Sequence, residues 1–202
     1  MSAPDLAAAR LGDWLTALAA PAPEPGGGAA AGVVIATGAA LVAMTAGYAA
    51  APGGEDVLAA ASAVRAEALI AAEHDGRMSA SLVAAFRLPV SHPHRAEAIV
   101  QATVRAAEAS AALVDAAASL TDSLAWLEVH GEPRVAPDVA VAARMLACGI
   151  RASAVNIRCD TTSAEAAGAA GEVTARLRTA LVEAMDAAAV LDALAERVTA
   201  TL

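Results

Sequence analysis

Alanine is the residue that most limits what this chain can fold into, because it fills 63 of the 202 positions. Alanine is the best helix former, whereas the β-branched and aromatic residues that favour strands are few, aromatic residues making up only 2% of the chain. The hydrophobic fraction of 58% excludes intrinsic disorder. The sequence therefore predicts an all-α protein whose helices approach one another closely.

Helix signals and turn residues divide the chain into six or seven helices. Helix starts are predicted at Ser2, Ser91 and Pro137, and Thr162 with Glu165 forms a capping box for the last helix. Predicted helices cover residues 2–20, 29–51, 55–87 (with a weak point at Gly76), 91–129, 137–160 and 162–202. Because the connections are short, we expect one up-and-down bundle, a single domain over residues 1–202.

The second predicted helix resembles a membrane span. No charged residue lies between Glu24 and Glu55, and the apolar stretch at 29–51 is long enough to cross a bilayer. However, it is rich in Ala and Gly, its nearest flanking charges are acidic, and it lacks aromatic belts. A helix that is apolar on every side is also typical of the centre of a soluble bundle, so we expect no membrane contact.

Charge and cysteine usage limit the compartment and the partners. A net charge of −9 leaves no basic stripe for a nucleic-acid backbone, so no nucleic-acid partner is expected. Cys148 and Cys159 lie 11 residues apart in one predicted helix, about 16 Å, too far for a disulfide. We expect reduced core cysteines in a cytoplasmic protein, and the N-terminal residues carry no basic segment of a signal peptide.

Few motifs point to chemistry. A phosphate-binding loop needs a lysine, which the chain lacks, and no strand precedes the glycines. His92 and His94 would point to different helix faces, which favours solvated histidines and no metal site. Gly26, Gly27 and Gly28 open the apolar helix, where free N–H groups attract carboxylates or anions. The alternative is a hinge whose small residues only permit tight packing.

Four segments, in the same order, resemble the formiminotetrahydrofolate cyclodeaminase and methenyltetrahydrofolate cyclohydrolase family. They are Pro25-Gly26-Gly27-Gly28-Ala29, Ala85-Phe86-Arg87-Leu88-Pro89 with Asp75 upstream, Asp138-Val139-Ala140-Val141-Ala142-Ala143, and Val155-Asn156-Ile157. The resemblance implies a helical homodimer that acts on a folate one-carbon substrate without a metal or other cofactor. It also implies that Asp75 and Asp138 are catalytic carboxylates.

The same resemblance assigns binding roles. It implies that Gly26, Gly27 and Gly28 cradle the substrate, that Arg87 binds the folate tail and that Asn156 lies at the site. The chain departs from the family pattern at Pro137, at Met78-Ser79 and at Asp160, where the family has asparagine, and it lacks a lysine after the apolar helix. Three functions therefore stay open: cyclohydrolase, cyclodeaminase, and a diverged non-catalytic helical dimer that binds a partner or another ligand. We favour an enzyme.

Geometry limits how two of these residues can cooperate. Asp138 and Asn156 are 18 residues apart in one predicted helix, so they share a face but lie about 27 Å apart. Either Gly149 marks a break in that helix, or a partner subunit brings one residue to the other's site.

Overall fold

A computed structural model of the chain describes residues 10–22 and 24–202. Over these ranges it has no strand; its helices are α1 (Leu11–Leu18), α2 (Gly27–Ala46), α3 (Gly54–Arg87), α4 (Arg95–Ala118), α5 (Thr121–His130), α6 (Ala136–Ala166) and α7 (Gly171–Thr199), with a 3-10 turn at Pro133–Val135 before α6. The all-α prediction of six or seven helices is confirmed. The start of the first helix predicted at Ser2 lies outside the described residues.

Helix α6 is the centre of the bundle and packs against α2, α4 and α7. Its contact with α2 is close because glycines face bulky side chains across it. A Cβ at Gly38 would lie 3.0 Å from Leu146 Cγ, and one at Gly149 would collide with Ile35. Ile35 and Leu146 are fully buried. The alanines and glycines that predicted close helix approach therefore serve that purpose in the middle of the α2–α6 contact.

Ion pairs tie the outer helices to this centre. Arg144 of α6 bonds Asp192 of α7 at 2.6 Å, and Arg151 bonds the same carboxylate. Arg197 of α7 holds Glu128 of α5 with two hydrogen bonds of 2.7 and 2.8 Å. All of these side chains are partly exposed, so the pairs fix orientation more than they stabilise the fold.

Several predicted boundaries are wrong. Helix α4 begins after His94, not at Ser91, and the predicted helix 91–129 is broken at Ser119 and Leu120 into α4 and α5. Helix α6 runs on to Ala166, so the proposed capping box at its end does not exist, and the Thr162 hydroxyl donates to the Arg158 carbonyl instead. Helix α3 passes through Gly76 without interruption.

Two further expectations concern the surface. Cys148 and Cys159 are free, as predicted, but both are exposed rather than buried in the core. Helix α2 and residues Pro133–Ala166 are long and apolar enough to span a membrane by length and composition. In the bundle, 56% of each apolar window is buried.

Candidate active site

A cleft of about 430 Å³ opens at the end of the bundle where α2 begins. Its walls come from the first turn of α2, one face of α3, one face of α4 and the second half of α6. The polar groups in this lining are Glu67, His74, Asp75, Ser79, Ser110, Ser153, Asn156, Cys159 and Asp160. The volume lies within the range of small-molecule sites.

Asp75 reaches the start of α2. Its carboxylate accepts a hydrogen bond from the backbone N–H of Ala29, one of the first N–H groups of a helix, which lack an acceptor within the helix. Oδ1 lies so close to Gly28 that a Cβ there would collide with it. Oδ2 is buried and has no hydrogen-bond partner among the described residues. The glycine therefore makes room for a carboxylate whose second oxygen is buried at the wall of the cleft and makes no hydrogen bond with the described residues.

Helix α6 supplies three polar residues at intervals of three and four positions: Ser153, Asn156 and Asp160. This spacing places them on one face of the helix. Asn156 also lies near the start of α2, because a Cβ at Gly27 would be 3.9 Å from its Oδ1. The hydroxyl oxygen of Ser153 is buried without a hydrogen-bond partner among the described residues.

Both aspartates of the cleft have a raised proton affinity. Burial, and then the negative charge of Asp75, raise the pKa of Asp160 to about 6. Burial also raises the pKa of Asp75, while the Ala29 N–H opposes that rise. Two carboxyl groups that interact in a partly dry site tend to retain one proton between them.

The charge of the cleft decides which ligands fit it. Its lining includes the carboxyl groups of Glu67, Asp75 and Asp160 and no arginine. No group of three or more His, Cys, Asp or Glu residues that could hold a metal ion occurs in the described part of the chain. The arrangement is therefore suited to a cationic or proton-donating group, and it can accept and return protons.

The structure brings together four of the seven residues predicted for the site. Asp75, Gly27, Gly28 and Asn156 line the cleft, and Gly26 directly precedes them as the N-cap of α2.

The other two predicted residues, Arg87 and Asp138, lie away from the cleft. Arg87 is exposed at the end of α3, about 18 Å along the helix from Asp75. Asp138 lies in the first turn of α6, about 27 Å along that helix from Asn156. Because α6 is continuous from Ala136 to Ala166, the alternative of a break at Gly149 is wrong. Only a partner subunit could bring Asp138 to the cleft.

Sequence reasoning missed Asp160, Ser153 and His74 as lining residues. The spacing of Ser153, Asn156 and Asp160 on one helix face could have revealed two of them. Asp160 was noted only as a departure from the family pattern. No local signal indicates that it faces Asp75, because the two residues are 85 positions apart in the sequence.

Comparisons with known proteins agree with this geometry. A family model described as formiminotransferase-cyclodeaminase matches residues 10–179. Among solved structures, the chain is similar to formiminotetrahydrofolate cyclodeaminase from Thermotoga maritima, with 20% sequence identity and a TM-score of 0.80. That alignment covers 97% of this chain and 96% of the other, and it establishes a shared fold. A search among curated proteins gave no match.

Proposed function

The chain belongs to the formiminotransferase-cyclodeaminase family, and from this premise we propose that it converts 5-formiminotetrahydrofolate into 5,10-methenyltetrahydrofolate and ammonia. The family match confirms the resemblance that the sequence motifs indicated. It also favours a folate one-carbon enzyme over a diverged, non-catalytic bundle.

The proposed reaction closes a ring on a cationic carbon. Nitrogen N10 of the folate attacks the carbon of the protonated formimino group and loses its proton. The formimino nitrogen takes up a proton and leaves as ammonia. A nearby carboxylate stabilises the cation and accepts the proton from N10. This chemistry needs no redox cofactor.

One observation carries the proposal: the Ala29 N–H anchors the Asp75 carboxylate beside Gly28, while its Oδ2 is buried and has no partner among the described residues. A carboxylate oxygen left unsatisfied in this way has a high affinity for an N–H donor or a cation. We assign Asp75 as the base that accepts the N10 proton. Gly27, Gly28 and Asn156 shape the wall against which the folate head lies.

The acidic cleft does not suit the carboxylates of a folate tail. We therefore place the tail outside the lining residues, along α3 towards the exposed Arg87 at the end of that helix. A planar guanidinium can bind a carboxylate with two parallel hydrogen bonds. Arg87 would then lower the KM for folate without taking part in the proton transfers.

The decisive assay supplies 5-formiminotetrahydrofolate and follows methenyltetrahydrofolate by its absorbance and ammonia by a coupled enzyme. We expect the two products to appear in equal amounts, and the rate to fall on the order of 100-fold or more in Asp75→Asn. Asp115→Asn, an exposed aspartate of α4, is the matched control and should retain the rate.

A parallel reaction starts from methenyltetrahydrofolate. If the protein accelerates only the loss of this compound, the activity is that of a cyclohydrolase, which adds water to the same carbon. If neither reaction is accelerated by folded protein, the folate proposal is wrong.

We also propose that the protein is a homodimer that pairs through one apolar surface, the outer face of α2 and α6. This outer face contains Val34, Leu41, Met44, Val141, Met145, Cys148 and Val155, all exposed or half-buried. Helix α2 carries no charged residue and is about 30 Å long. Two such helices side by side offer roughly 600 Å² per subunit, enough for a stable pair at the low end of dimer interfaces.

Sedimentation of the wild type and of two matched variants tests the dimer. Val141 on the outer face and Val190 on α7 are exposed to similar degrees, 48% and 51%. We expect a dimer for the wild type and for Val190→Glu, and a monomer for Val141→Glu, because a charge would be buried without a partner. A dimer in both variants would show that the outer face is not the interface.

A further inference from the structure

We infer that Asp160 is a second catalytic residue of the cleft: it carries the proton that the departing nitrogen takes up, and Asp75 returns a proton to it after each turnover. The inference rests on the proposed function, because it concerns the acid that ammonia release requires. It assigns a distinct role to a position where the family pattern has asparagine. An asparagine can donate a hydrogen bond there but cannot give up a proton at neutral pH.

The position of Asp160 supports this role. It lies on the wall of α6 that faces Asp75, in the same cleft, and only 9% of its surface is exposed. The side chain of Asp160 makes no hydrogen bond or ion pair within residues 10–22 and 24–202. A buried carboxyl group without a basic partner is stable in a protein when it is protonated.

The unpartnered Oδ2 of Asp75 supplies the complementary group. This oxygen is also buried in the cleft and lacks a donor among the described residues. A single proton retained by the two carboxyl groups halves the buried charge, as in other interacting carboxylates. Burial and the charge of Asp75 raise the pKa of Asp160 to about 6, so Asp160 keeps its proton up to about that pH.

Several other titratable groups lie around the pair. Glu67 and His74 reach the cleft from α3, and Cys159 reaches it from α6. Glu24, in the loop before α2, adds negative charge that raises the pKa of Asp75. The part of α4 that lines the cleft consists of alanine, serine and leucine and contributes no titratable side chain. Among these neighbours, Glu24 favours the protonated form of Asp75.

The proton transfers balance without any other reactant. N10 forms its bond to the formimino carbon, and the electron pair of the carbon–nitrogen double bond moves to the formimino nitrogen. Asp75 takes the N10 proton while Asp160 gives its own proton to that formimino nitrogen. The bond to this nitrogen breaks, ammonia leaves, and the N5 lone pair forms the double bond of the cationic methenyl product. Transfer of the proton from Asp75 to Asp160 then restores the resting pair.

The first test is Asp160→Asn, which keeps the size of the side chain and introduces the residue of the family pattern. We expect kcat to fall on the order of 100-fold, the usual scale for the loss of a general acid, with little change in KM. The wild type should lose activity as the pH rises above about 6, where Asp160 gives up its proton. The variant should lack this basic limb.

Asp115→Asn on α4 is again the control and should keep both kcat and the pH profile. If the wild type is active and Asp160→Asn retains its kcat and its basic limb, the role of Asp160 is wrong while the proposed function stands.

A second measurement does not depend on activity. Carbon-13 NMR of the aspartate carboxyl groups should show Asp160 losing a proton near neutral pH, and this titration should move to lower pH in Asp75→Asn. If the wild type has no cyclodeaminase activity, the proposed function fails. The titration then tests the carboxyl pair by itself. A titration of Asp160 that shifts in Asp75→Asn supports the interaction between the two carboxyl groups, and a titration that is unshifted and typical of a free aspartate contradicts it.

Discussion

The close contacts at the middle and at the start of α2 use the same small residues for opposite purposes. In the middle, Gly38 and Gly149 face the aliphatic side chains of Leu146 and Ile35, and the absence of a Cβ allows dense apolar packing. At the start of α2, Gly28 faces the carboxylate of Asp75, and the absence of a Cβ leaves room for a charge. At each of these contacts a glycine allows two helices to approach closely. The side chain opposite the glycine determines whether the contact contributes to stability or positions a reactive group.

The largest effect is expected at the polar end. In Gly28→Ala the new Cβ would collide with Oδ1 of Asp75 and displace the carboxylate from the Ala29 N–H. We expect kcat to fall about 100-fold, the scale on which a misplaced catalytic group is felt. Stability should hardly change, because alanine is the better helix former.

Steady-state kinetics and a denaturant titration on the same samples measure both quantities. Gly12→Ala in α1, where a Cβ meets nothing within 4 Å, is the control. A variant that unfolds easily, or that keeps full activity, would contradict the division between the two contacts.

The apolar contact should respond in the opposite way. In Gly149→Ala the Cβ would collide with Cγ1 of the fully buried Ile35 and lie 3.3 Å from the Ala31 carbonyl oxygen. We expect a loss of about 2–3 kcal/mol in the free energy of unfolding, as for other overpacked cores. The kcat of the folded fraction should stay within a few-fold of the wild type.

Urea denaturation measures the loss, and Gly171→Ala, with open space around position 171, should be close to neutral. An equally stable Gly149→Ala protein would mean that α2 and α6 can move apart without cost.

These contrasts show which features of the fold and of the candidate site can be predicted from the sequence. Alanine content predicted the helices, and the glycines pointed to the end of α2 at which the cleft lies, because such signals are local. The break at Ser119 and Leu120 was missed because that region contains no glycine or proline. The Asp75–Asp160 pair was missed because it joins α3 to α6, and only the packing of the bundle brings them together.

The carboxyl pair should also make stability depend on pH. The pKa of Asp160 rises from 3.8 to about 6 on folding, so between these values the folded state binds more protons than the unfolded state. Stability therefore falls as the pH rises through this window, and the cost is fully present above pH 6. Asp160→Asn removes this cost, so its gain over the wild type should be about 2 kcal/mol larger at pH 8 than at pH 4.

Denaturant titrations of both proteins at a series of pH values measure this difference, with Asp115→Asn as the control. A pH-independent difference between Asp160→Asn and the wild type would show that folding does not raise the pKa of Asp160.

The smallest effect is expected at the far end of α6. Asp138 lies in the first turn of that helix, where its charge interacts favourably with the helix dipole. Asp138→Asn should therefore lower the free energy of unfolding by only about 0.5 kcal/mol. The same preparation shows whether Asp138 has the catalytic role predicted from the sequence, because α6 is unbroken and separates Asp138 from the cleft of its own chain. A large fall in kcat, together with so small a change in stability, would mean that the partner subunit's Asp138 serves the cleft. In that case the double variant Asp138→Asn/Val141→Glu should have the same kcat as Val141→Glu alone. In these monomers no partner subunit can supply Asp138 to the cleft.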